Sequence, residues 1–72
     1  METINITTDF IKLQDLMKLA ELVNSGGEAK LLIQNGQVLV DGEPCLQRGR
    51  KIRPGHIVSF KNHNYTVTYA NQ

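Results

Sequence analysis

At 72 residues and 8.1 kDa, the chain has room for one domain, residues 1–72, and none for a large enzyme with a deep, walled cleft. Hydrophobic residues make up 40% and charged residues 21%, the balance of an ordered domain. The apolar runs never exceed three residues, as at Leu31–Ile33, against the roughly 20 needed to span a membrane. The net charge of +1 conceals a split. Residues 1–43 hold all seven acids and three bases, a balance of −4, whereas residues 44–72 hold five bases and no acid. Such segregation reads either as a basic surface for a polyanion or as a solvated charged loop.

The first residues, Met1 to Asn5, carry neither a basic nor an apolar leader. Residues 3–7 alternate polar and apolar, which predicts a short strand with Ile4 and Ile6 on one face. Leu13, Leu16, Met17, Ala20 and Val23 fall at helical spacing and predict a first helix ending near Asn24, with Leu19 and Leu22 widening its buried stripe. Asp9 has N-cap chemistry, although the apolar period begins only at Leu13, with Lys12 at the entry of the first turn. Ser25 to Glu28 predicts a capping box, the Glu28 carboxylate reaching back to the Ser25 amide. Ala29, Leu32 and Ile33 give the second helix its buried face, and Gly36 is free to cap its end at positive φ. Gly26-Gly27 reads as a tight connection between closely packed helices, or as helix-start amides open to a phosphate oxygen.

Beyond Gly36 the period falls to two. Val38–Val40 is a strand, Asp41-Gly42 a type I′ turn, and the return strand is expected to include Cys45 and Leu46. Arg48, Gly49, Arg50, Lys51, Ile52 and Arg53 form a basic loop closed by the turn Pro54-Gly55. Ile57, Val58 and Phe60 mark a strand, residues 61–64 a turn, and Tyr65, Val67 and Tyr69 a last strand. The expected fold is α+β: two short helices on one face of a small, mostly antiparallel sheet of four to five strands.

Catalytic chemistry finds little support. Cys45, His56 and His63 match no zinc spacing, and both histidines read as ordinary, partly exposed imidazoles. Residues 25–30 lack the leading glycine and the Gly-Lys-Ser/Thr ending of a phosphate loop. The acids are scattered, with no pair set for general acid–base work. A lone Cys45 excludes an internal disulfide, agrees with a reducing cytoplasm, and reads as a packed strand residue. No enzyme, cofactor or metal is therefore expected. The basic loop carries the functional weight, because arginine forks match phosphate oxygens and lysine adds a point charge. If the helix starts approach that loop, Lys12, Lys30, Arg48, Arg50, Lys51 and Arg53 form one patch. Tyr65 and Tyr69 could stack on bases, but their alternation favours packing within the sheet.

The pattern resembles the RNA-binding domain first described in small-subunit ribosomal protein S-four, also called the alpha-L motif. The matching residues are Lys12-Leu13 and Leu16, then Ser25 through Ala29-Lys30 and Leu32-Ile33. They continue with Asn35-Gly36, Val38, Val40, Asp41-Gly42 and the basic segment to Pro54-Gly55, so that the motif covers about residues 11–60. Within that family the run is most similar to the small free-standing YaaA-like bacterial members. The resemblance implies a non-catalytic cytoplasmic module that binds structured RNA, ribosomal or transfer, through the six cations, with no membrane partner and a monomer favoured. The family often has arginine where this chain has Lys12, Gly26 and Lys30, which shifts phosphate contact toward Arg48, Arg50, Lys51 and Arg53. A competing expectation is a protein-interaction adaptor that docks an acidic partner through the loop or pairs through the Tyr65–Tyr69 strand.

Overall fold

The computed structural model describes residues 1–70. Its elements are β1 (Glu2–Ile6), β2 (Ile11–Lys12), α1 (Leu13–Leu19), α2 (Gly26–Gln34), β3 (Val38–Val40), β4 (Glu43–Pro44), β5 (Lys51–Ile52), β6 (Ile57–Phe60) and β7 (His63–Tyr69). Five strands form one mixed sheet in the order β1-β7-β6-β3-β4, and β2 pairs with β5 in a separate two-stranded ladder. Among the described residues only the β1–β7 pair is parallel; the other pairings are antiparallel. Period-two alternation turns Val38, Val40, Val58, Phe60, Tyr65 and Val67 inward. There all but Tyr65 join Leu13, Leu16 and Met17 of α1 and Ala29 and Ile33 of α2 in one core. The two helices thus cover one face of the sheet, as the sequence leads one to expect.

The last strand is interior, with β1 on one side and β6 on the other. Its Tyr65–Tyr69 span is occupied by Glu2–Ile6, so pairing with a partner through this strand, one form of the adaptor expectation, is blocked by the chain's own β1. Thr68 Oγ1 donates to Asn5 Oδ1 across that junction. The last turn is shorter than expected. Lys61 and Asn62 alone make it, both at positive φ, and His63 and Asn64 already belong to β7.

α1 stops at Leu19, five residues before the expected end. Ala20 caps it and Glu21 turns into the left-handed region at φ 60°. The Glu21 amide then donates to Lys18 O and the Leu22 amide to Met17 O, the bond pair of a Schellman motif. Val23 is buried, but from an irregular segment, and Leu19 is exposed. α2 ends in the same way with the expected glycine: Gly36 has φ 76°, its amide donates to Ile33 O, and the Gln37 amide donates to Leu32 O. At its start, Ser25 Oγ accepts from the Glu28 amide at 3.2 Å. Glu28 Oε1 accepts from Asn24 N at 2.8 Å rather than from Ser25 N, one residue further back than a standard capping box. Space does not require Gly26 and Gly27. A Cβ at Gly26 would meet nothing within 4 Å, and one at Gly27 only Ser25 Oγ at 3.9 Å, so close helix packing is not their reason.

The hairpin after β3 turns on Asp41 and Gly42, both at positive φ as a type I′ turn requires. The return strand β4 is only two residues long. Pro44 pairs with Leu39 but has no amide to donate, which suits its place at the sheet edge. Cys45 lies beyond it, buried, its amide bonded to Val38 O at 3.0 Å, while Leu46 points to solvent.

Candidate nucleic-acid interface

The residues 48–53 are only half a loop. Lys51–Ile52 is strand β5, and the completely buried Ile52 pins it to the core. Ile11 faces Ile52 and Lys12 faces Lys51 across the ladder. Alternation therefore places Ile11 and Ile52 on the core side and Lys12 and Lys51 on the outer side, together with Arg53 two residues along. The ladder runs directly into α1, whose N-cap is Lys12, not Asp9. Lys12 has no side-chain cap to offer, and the basic segment's own backbone fills that role. The Leu13 amide donates to Arg50 O at 2.9 Å and the Gln14 amide to Arg48 O at 3.0 Å. Two orphan amides of the helix start are satisfied. Arg48 and Arg50 are thereby tied to α1 through their carbonyls, with exposed side chains.

Lys12, Arg48, Arg50, Lys51 and Arg53 are thus brought together by one ladder and one helix start. Lys30 lies on α2, exposed, at the fifth position of that helix. None of the six makes an ion pair among the described residues. The pairs that do form there are Lys18–Asp15 at 3.3 Å, His56–Asp41 at 2.9 Å and His63–Glu2 at 3.6 Å. Lys12 directly opposite Lys51 is a like-charge pair, unfavourable by roughly 0.2–1 kcal/mol in a folded chain left to itself.

One residue of this face carries no motif. Phe10 precedes β2, and two cations of the facing segment, one in β5 and one just after it, lie over its ring: Lys51 Nζ at 4.9 Å and the Arg53 guanidinium carbon at 5.6 Å from the centroid. A sequence signal existed in the mirrored triplets Phe10-Ile11-Lys12 and Lys51-Ile52-Arg53, each with one isoleucine between outward residues. Asp41 also has a part that its turn chemistry hid. Its Oδ1 accepts from the Ile57 amide at 2.9 Å, and its Oδ2 lies 2.9 Å from His56 Nδ1. The Ile57 amide bond holds the Asp41 carboxyl below the ordinary aspartate value against a smaller opposing effect of burial, with the charges of His56 and Arg50 adding to it. The hairpin turn is thereby fastened to the end of the Pro54-Gly55 turn, just beyond the basic segment.

Other candidates recede. Tyr65 is buried in the sheet and offers no face for stacking, whereas Tyr69 is half exposed at the strand end. Cys45 packs in the core, its Sγ 3.6 Å from Gln47 O. Among the described residues no three His, Cys, Asp or Glu side chains come together, and no helix is long and apolar enough to cross a membrane.

Two helices on a five-stranded mixed sheet, with a basic ladder leading into the first helix, define the class. The profile of the S4 domain family matches residues 4–68, and the chain belongs to that family. A relative in Bacillus subtilis (strain 168), named "Probable ribosome maturation protein RlbA", is 41% identical over 58 residues, spanning 81% of this chain and 82% of the relative. YbcJ of Escherichia coli (strain K12) is 42% identical over 57 residues, 79% of this chain and 81% of that one. The solution structure of E. coli YbcJ, described as revealing an alpha-L motif involved in RNA binding, superposes with a TM-score of 0.71. It has 38% sequence identity and covers 94% of this chain and 87% of that one.

Proposed function

We propose that this chain is a non-catalytic RNA-binding module that recognises structured RNA, ribosomal or transfer RNA, through shape and phosphates. The observation that carries the reading is the outer face of the β2–β5 ladder. Lys12 and Lys51 stand opposite one another there, Arg53 is beside them, Arg48 and Arg50 are held at the adjoining helix start, and none makes an ion pair among the described residues. An arrangement that is unfavourable alone becomes favourable when a polyanion supplies the missing charge. Lys30 extends the surface along α2 at a lesser density of charge. Membership of the S4 domain family and the similarity to RlbA and YbcJ support the same reading. In it the protein works as a monomer in the cytoplasm and without a cofactor.

The test is crosslinking in cells with sequencing of the attached RNA. The chain as it stands is compared with a variant carrying alanine at Arg48, Arg50, Lys51 and Arg53. Enrichment of one ribosomal or transfer RNA region, lost in the variant, is expected; no enrichment with the protein folded and abundant would overturn the reading. With that RNA in hand, log Kd against log salt should have a slope of about 3.5–4.5 for five phosphate contacts, at roughly 0.7–0.9 per contact. Arg50→Ala with Lys51→Ala should lower the slope by about 1.4–1.8.

A further inference from the structure

We infer that Phe10 is a positioning residue of the RNA surface, an aromatic clamp that holds Lys51 and Arg53 in place without neutralising them. The inference rests on the RNA-binding reading above and adds to it a residue that carries no charge. The register of the ladder, Ile11 opposite Ile52 and Lys12 opposite Lys51, continues by one step to set Phe10 across from Arg53 and diagonal to Lys51. Phe10, Lys12, Lys51 and Arg53 then share one face, and the isoleucines between them share the other. The ring meets both cations, at 4.9 Å and 5.6 Å, within the roughly 6 Å over which a ring quadrupole attracts a cation. The backbone that carries the ring is fixed beside it. Thr8 Oγ1 donates to the Phe10 carbonyl at 2.7 Å, and Phe10 is half-buried.

Two long cationic side chains on an exposed strand would otherwise sample many rotamers and repel each other and Lys12. A carboxylate at position 10 would also hold them, but it would cancel the charge that a phosphate needs. An aromatic face attracts a cation and leaves its full charge outward. The clamp therefore lowers the ordering required when RNA arrives, which is where preorganisation raises affinity.

The experiment replaces Phe10 with mono-, di- and trifluorophenylalanine, which keep the ring's shape while draining its negative face. Affinity is measured for purified bacterial ribosomal RNA at fixed salt, with Phe10→Trp, Phe10→Leu and the Arg50→Ala, Lys51→Ala pair as companions. The expected result is a stepwise fall in affinity along the fluorinated series and near-normal binding with Phe10→Trp. Phe10→Leu should bind about four- to twenty-fivefold more weakly, taking each of the two exposed cation–ring contacts at about a factor of two to five. The melting midpoint falls by only a few degrees across the fluorinated series, as weakened cation–ring contacts and an intact core require. In the free protein, the upfield ring-current shifts of the Lys51 and Arg53 side-chain protons disappear in Phe10→Leu. A flat affinity series, with the Arg50, Lys51 pair still weakening binding, would overturn the clamp and leave the interface standing. A rise in affinity with fluorination would overturn it in favour of direct stacking of a base on Phe10. A flat series together with full binding by the Arg50, Lys51 pair would overturn the clamp and the RNA surface at once.

Discussion

Two residues in left-handed conformations show how single side chains set this fold's tolerances. Glu21 closes α1 at φ 60° where α2 uses Gly36 at φ 76° for the same pair of bonds. An L side chain in that region is strained by about 1 kcal/mol, and glycine removes the strain while adding freedom to the unfolded chain. Glu21→Gly is therefore expected to stabilise the protein by about 0.5–1 kcal/mol, read as a higher urea midpoint with an unchanged slope. Asp41 acts oppositely, as a side chain whose ionised form is needed. Its carboxyl is held below the ordinary value in the folded state, so the stability it contributes is present above the unfolded value, near pH 4. That stability is lost as pH falls through the lower folded value. In acid titrations followed by circular dichroism, Asp41→Asn should flatten the dependence of stability on pH below about 4. A variant as acid-sensitive as the parent would show that the Ile57 and His56 contacts carry no stability.

At the scale of elements, one of the three shortest strands has large leverage. β5 is two residues long, and Ile52, with no exposed surface, holds it against the core. Ile52→Ala should cost about 2–5 kcal/mol, much of the roughly 4–11 kcal/mol available to a chain of this size. Thermal unfolding would measure the loss, and the basic segment should loosen with it. At α2, Gly27→Ala meets only ordinary contact and should stabilise the helix by up to about 1 kcal/mol, a gain that urea denaturation would register. These elements were unequally visible in the sequence. α2 could be read because Ser25 and Gly36 mark its ends chemically, and the β3–β4 turn because Asp41-Gly42 has few other uses. The early end of α1 was hidden: apolar spacing continues through Ala20 and Val23, and Glu21 gives no hint of a left-handed turn. The β2–β5 ladder was hidden for another reason, since two residues a side cannot display a period. The cations of the candidate site could be read as residue types. What brings Lys12 against Lys51, and Phe10 beneath Lys51 and Arg53, is long-range pairing that no local window contains.

For the whole molecule, the sequence's division of charge becomes a division of surface energy. The gathered cations repel one another at low ionic strength and are screened as salt rises. The melting midpoint should therefore increase with sodium chloride from low salt, and Lys12→Glu, which turns the like-charge pair with Lys51 into an attractive one, should reduce that increase. A midpoint indifferent to salt in the unaltered chain would mean that the cations do not strain the fold. The parallel pairing of β1 with β7 has a consequence of another kind, in time rather than in energy. β7 leaves the ribosome after every other element, yet it is the strand between β1 and β6. Throughout translation β1 waits without a partner and β6 keeps a bare edge, so the sheet cannot close in the order in which it is made. Folding of this domain is therefore an event that follows synthesis of residue 69, and until then the nascent chain carries unpaired strand edges on β1 and β6.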